Sequence, residues 1–184
     1  MKIIAITFTM KTLTLFALVC AMTALTGADA VPEAKADKDQ TADVDLDKRW
    51  VIRGCFGGWT RFNGRCFLYV PRLMTWAKAE KNCVAMGGNL ASVRNIKEYH
   101  ELQRLIVIGS HAYKETWIGG TDAQEEKLWF WSDGTPFRYS NWCRRQPNNL
   151  WGKQNCLQMN HGAQKCWDDR QCNYARPSVC AKKP

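Results

Sequence analysis

The sequence predicts one α+β domain made of two helices, short antiparallel sheets and a long disulfide-pinned C-terminal loop region. Three observations predict it. Two amphipathic stretches carry apolar residues at helical spacing, and short aromatic and β-branched runs bounded by Gly and Pro have strand character. Cysteines are dense, with five of them between Cys143 and Cys180.

The first 30 of the 184 residues have the features of an export signal. Lys11 supplies the positive start, residues 13–25 form an apolar run too short to span a bilayer, and Ala28-Asp29-Ala30 offers small residues for cleavage. Met10 begins a more compact signal than Met1, and the sequence leaves the start open. Residues 31–49 alternate acidic residues with Lys and end at Lys48-Arg49, a pair that furin-like enzymes cut. They fit a propeptide, or a disordered segment that stays attached because so polar a stretch buries too little surface to offset chain entropy. The mature domain is then expected at residues 50–184, secreted, with no transmembrane segment. No linker or repeat divides it.

Six of the 26 Lys and Arg and seven of the 17 Asp and Glu precede Trp50, which leaves 20 against 10 and a mature net charge of +10. Such a balance favours anionic surfaces, including bacterial envelopes, acidic glycans and phospholipid. The basic residues are scattered and the export signal points out of the cell, so nucleic acid is not an expected partner.

Cys20 departs with the leader, and an even set remains: Cys55, Cys66, Cys83, Cys143, Cys156, Cys166, Cys172 and Cys180. In an oxidising compartment that means disulfides. Zinc is disfavoured, because there is no C-x-x-C and the only histidines are His100, His111 and His161. Eight cysteines allow about 105 connectivities, so composition alone leaves the pairing open. Their crowding near the C-terminus predicts a mostly irregular chain there.

Taken in order, Gly57-Gly58 marks a turn, and residues 65–70 form a strand that Pro71 is expected to end. Trp76, Ala79 and Cys83 then recur at helical spacing, with Thr75 as cap and Gly87-Gly88 as stop. A second helix is expected after Asn95 as N-cap. Glu98 stands three residues on, Ile96, Tyr99, Leu102, Leu105 and Ile106 make one face, and Gly109 ends it. Residues 117–120 and 128–131 have the character of short buried strands, and Ser132-Asp133-Gly134 is the turn after the second.

An enzyme finds little support. There is no G-x-S-x-G elbow, no H-E-x-x-H pair and no Gly-rich phosphate loop, and His100-Glu101 lacks the second His four residues on.

Several features together resemble the C-type lectin-like domains. They are Cys55 and Cys66 with Trp59 between, the helix carrying Cys83, Leu90-Ala91-Ser92-Val93, Trp117-Ile118-Gly119, Gln146-Pro147-Asn148, and Cys166-Trp167-Asp168-Asp169 followed by Cys172 and Cys180. The match covers residues 55–180. The resemblance implies the pairs Cys83 to Cys180, Cys156 to Cys172 and, as the mark of the long form, Cys55 to Cys66, which leaves Cys143 with Cys166. That extra bridge resembles the fish branch, which includes ladderlectin-type lectins and type II antifreeze proteins.

The resemblance further implies a calcium-bridged carbohydrate site. Its matching positions are Gln146, Asn148, Gln154, Asp168 and Asp169, and Pro147 stands where the family has a cis proline. Calcium favours such oxygens, more so when they are charged. This chain departs from the pattern. It supplies two carboxylates where calcium-binding members usually supply three, Gln154 stands in place of Glu, and the Gln-Pro-Asn triplet mixes the mannose and galactose types. Weak calcium binding, or side chains that only hydrogen-bond the loop, both fit.

Trp151 follows the triplet, where an indole stacks on a galactose-type ring or packs in the core. Arg144, Arg145 and Lys153 flank it, as partners for anionic ligands or as a solvated rim. The expected function is a secreted lectin of innate defence that binds glycans of microbial or cell surfaces. Shallow sites retain a surface only when several act together, so a non-covalent homo-oligomer is also expected. A type II antifreeze protein is the alternative, and a venom-type lectin a further one. Charges crowding the loop argue against a flat ice-binding face.

Overall fold

The computed structural model describes residues 54–184. The expected export signal, the expected propeptide and the first residues of the expected domain lie outside the described residues. Eleven elements follow in order: β1 (Thr60–Phe62), β2 (Arg65–Met74), α1 (Trp76–Ala85), β3 (Asn89–Leu90), α2 (Ile96–Ser110), β4 (Thr116–Thr121), β5 (Phe130–Trp131), a 3-10 turn (Leu150–Gly152), β6 (Cys156–His161), β7 (Cys166–Arg170) and β8 (Arg176–Lys182). The strands join in the order β1-β2-β8-β4-β6-β7, with β3 on β8 and β5 on β4. All pairings are antiparallel except β4 with β8, which meet in parallel at Trp117 and Ser178.

Strand alternation sorts the side chains into two cores. Phe67, Ile118, Leu157, Met159 and Val179 face the cluster beneath α2, with Trp129, Trp131 and Trp167. Trp117, Cys156 and Cys180 point the other way, toward Ala79 and Cys83 of α1. The sheet is thus buried on both sides, and every residue of β4 is buried. The Trp117 indole donates to Met74 O at 3.0 Å and that of Trp76 to Ile118 O at 2.9 Å, which satisfies both rings.

The structure corrects several local expectations. Strand β2 runs through Pro71, because the register shifts between Val70 and Met74, so the proline sits at an irregularity with no ladder bond to donate. Asn95 caps α2 by accepting from Glu98 N at 3.0 Å, but the Glu98 carboxylate reaches back to Arg94 N, one residue further than a capping box. Ile96, assigned to the buried face, is 46% exposed in the first turn. Gly109 does not end α2. A Cβ there would lie 2.5 Å from the Tyr69 ring, so the glycine lets helix and strand approach, and His111 in a left-handed conformation closes the helix. In residues 128–131 only Trp129 and Trp131 point inward, while Leu128 and Phe130 are exposed.

The irregular stretch is residues 132–155. Beyond it the chain returns to strand, and β8 lies between β2 and β4 inside the sheet. The expectation of a mostly irregular C-terminal part therefore fails after Cys156. Four disulfides join Cys55 to Cys66, Cys83 to Cys180, Cys143 to Cys166 and Cys156 to Cys172, the pairs the resemblance implies. A buried polar knot ties β2 to α2 and to the turn after β5. The Arg65 guanidinium donates to Ser92 O at 3.0 Å and Glu98 Oε2 at 3.2 Å, and Ser92 Oγ donates to Asp133 Oδ2. Burial disfavours charge on Asp133. Hydrogen bonds from Ser92 and Thr135 and the nearby Arg65 outweigh it and hold this carboxyl below its usual value.

Candidate functional site

Two disulfides fix the loop that carries the sequence-derived candidates. Cys143 to Cys166 ties its start to β7, and Cys156 to Cys172 ties its end to the chain just past β7. Backbone bonds from Cys143 N to Trp167 O and from Trp167 N to Asn141 O, at 2.9 and 2.8 Å, dock the same loop along the strand. Gln146-Pro147 is cis, and Arg145, Asn149, Trp151 and Gly152 take positive φ, so the segment folds into successive tight turns.

Asp169 organises the interior of these turns. It is fully buried, and its two carboxylate oxygens accept from Asn148 N at 2.9 Å and Asn149 N at 2.6 Å. Gln154, also buried, accepts from Leu150 N at 2.6 Å through Oε1, and Asn148 Oδ1 accepts from the same amide at 3.0 Å. Gln146 Oε1 is buried with no donor. Asn148, Gln154 and Asp169 are thus brought together, with Gln146 in the same loop.

Asp168 is not with them. Successive residues of a strand point to opposite faces, and Asp168 lies across from Gln158, from whose Nε2 it accepts at 2.8 Å, with His161 Nδ1 at 3.4 Å. Burial pushes its carboxyl above the usual carboxylate value, and the Asp169 charge adds to that. His161 and the Gln158 hydrogen bond oppose the shift.

Trp151 stands on the outside of the loop, 80% exposed, which excludes the core role for its ring. Arg144, Arg145 and Lys153 are exposed around it. Two contributors had not been singled out from the sequence. Asn149 donates its side-chain amide to Glu126 and accepts from Gln154 N at 2.9 Å, so it joins the loop to the turn after β4. An Asn-Asn pair after proline is a turn signal that marks Asn149, whereas nothing local marks Glu126, which arrives through the fold.

This donor set is poor for calcium. Among the described residues no group of three or more His, Cys, Asp or Glu side chains is placed to hold a metal ion. Asp169 is the one carboxylate among the three converging candidates, and both its oxygens already serve loop amides, as does Gln154 Oε1. Among these candidates, Gln146 Oε1 is a buried oxygen in want of a partner. As arranged, the residues form a loop closed upon itself and do not fit a calcium cage, which needs six to eight oxygens, several of them charged.

The Lectin C-type domain family matches residues 72–182, and the chain belongs to that family, whose domains typically bind calcium. Ladderlectin, type II antifreeze proteins and galactose-specific fish lectins are among its relatives. Ladderlectin of Oncorhynchus mykiss is 38% identical over 181 residues, covering 95% of each chain. The galactose-specific lectin nattectin of Thalassophryne nattereri is 40% identical over 135 residues, 73% of this chain and 84% of its own. Among solved structures, herring type II antifreeze protein superposes with a TM-score of 0.67 at 41% identity, covering 71% of this chain and 99% of that one.

Proposed function

We propose that the chain is a secreted lectin that binds carbohydrate of the galactose type on microbial or cell surfaces through the loop of residues 144–154. The observation that carries this is the exposed Trp151 indole, held on the outside of a loop pinned by two disulfides. A large apolar ring left in water is uncommon, and the CH-rich face of a galactose-type pyranose is a natural partner for it. Exposed Asn148 supplies an amide group in the same loop for sugar hydroxyls, and buried Gln154 and Asp169 hold the loop in shape from within. A galactose-specific relative supports the sugar class. Arg144, Arg145 and Lys153 add tolerance for acidic substituents.

Because the converging oxygens serve the loop backbone, sugar capture is assigned to the indole and the Asn148 amide, without a metal bridge. The protein binds and does not catalyse. All eight cysteines of the domain pair internally, so the oligomers that would give useful avidity assemble non-covalently.

Retention on immobilised galactose, first with calcium and then with chelator, tests the proposal. Retention that survives chelator and is eluted by free galactose is expected. Release by chelator would return the calcium bridge, and absence of retention together with thermal hysteresis on freezing would make the protein an ice binder.

A further inference from the structure

We infer that a second ligand site, for an anionic saccharide bearing sulfate or carboxylate groups, lies in a groove on either side of Arg138-Tyr139, separate from the Trp151 loop. Two cavities meet at this dipeptide. One, of about 360 Å³, is lined by Val93, Arg94, Thr135, Pro136 and the dipeptide itself. The other, of about 320 Å³, has Lys127, Trp129, Phe137 and Trp142 on its walls.

Two properties identify the ligand class. The first is charge. Arg94, Lys127 and Arg138 are exposed, no carboxylate lines either cavity, and among the described residues none of the three side chains enters an ion pair. Cations left unpaired around a concave surface are placed to bind anionic groups, and the guanidinium fork fits sulfate and carboxylate alike.

The second is the wall between them, an array of rings fixed by packing. Trp129 meets Trp142 edge-on with centroids 4.7 Å apart, Phe137 lies 6.3 Å from Trp129, and Tyr139 and Trp142 both pack on the buried Trp167, at 5.6 and 5.7 Å. Rigid rings beside cations suit pyranose faces carrying acidic substituents.

The inference goes beyond galactose capture and does not depend on it. The test is binding of a heparin-derived hexasaccharide to the mature protein in chelator, followed by tryptophan fluorescence, with its desulfated, N-acetylated and carboxyl-reduced counterpart, which carries no anionic group, as control. Saturable binding of the sulfated form alone is expected. The double variant Arg94→Gln/Arg138→Gln should weaken it by about tenfold or more, since each guanidinium makes a charge-assisted contact. Lys78→Gln/Lys81→Gln removes the same charge from α1, outside the groove, and should change affinity by less than about twofold. Arg94 and Arg138 are exposed and unpaired, so folding is retained, which near-UV circular dichroism verifies. Equal losses in the two double variants would reduce the effect to net charge and overturn the inference. So would the absence of binding, or its disappearance in Trp151→Ala, which would return the ligand to the loop.

Discussion

Asp169 and Trp151 lie eighteen positions apart in sequence and at opposite sides of one loop, and the physics that keeps each in place is opposite too. Asp169 is a buried charge stabilised by two amide donors, so Asp169→Ala leaves two N–H groups without an acceptor. Stability should fall by about 1–3 kcal/mol per abandoned group, read from urea denaturation. Trp151 contributes little to packing at 80% exposure. Trp151→Ala is expected to leave the melting temperature within about 2 °C while abolishing retention on galactose resin. Asp133 adds a pH dependence. Its folded carboxyl is held below the usual 3.8, so its contribution is fully present above that value and is lost as pH falls through the folded value. Melting temperatures measured from about pH 5 down to pH 2 should decline, and Asp133→Asn should flatten part of the decline.

At the scale of elements, helices were the most legible. Apolar spacing and the Asn95 cap located α1 and α2 to within a residue or two, because amphipathic periodicity is a local signal. Their ends were less so. Gly109 has the look of a stop, but the Tyr69 ring against it explains the glycine by close approach, and α2 continues to Ser110. Gly109→Ala should therefore lower stability, by about 1–3 kcal/mol as in other overpacked contacts, although alanine is the better helix former. Strands β7 and β8 were hidden. Cys166–Arg170 carries two acids, and Arg176–Lys182 contains a proline and charged ends, so neither has the apolar alternation of a strand. Strand β8 is buried by partners distant in sequence, and β7 pairs with its chain neighbour β6 while Tyr99 and Trp131 cover its Trp167. The same blindness affected the site. Residue types at Gln146, Asn148, Gln154, Asp168 and Asp169 were readable, but strand alternation sends Asp168 to the other face of β7, and adjacency in sequence conceals that.

The whole molecule depends on covalent closure of a small, loop-rich domain. Cys83 and Cys180 are 97 positions apart and join α1 to β8, so the bridge restrains the unfolded chain by about 4 to 5 kcal/mol in the entropic view. Full reduction should unfold the domain cooperatively, with loss of near-UV circular dichroism. On this frame the fold offers two surfaces of different chemistry, an indole on a loop whose acid oxygens are occupied and a cationic aromatic groove.

In the proposed mode of binding, an exposed ring on that closed loop captures sugar without a metal bridge. Tryptophan fluorescence titrated with lactose in the presence of chelator tests it most directly, on the parent protein and on Trp151→Ala. A saturable change in the parent protein that vanishes in the variant is the predicted result. An identical response in both proteins, or a response in the parent protein that appears only when calcium is restored, would contradict it.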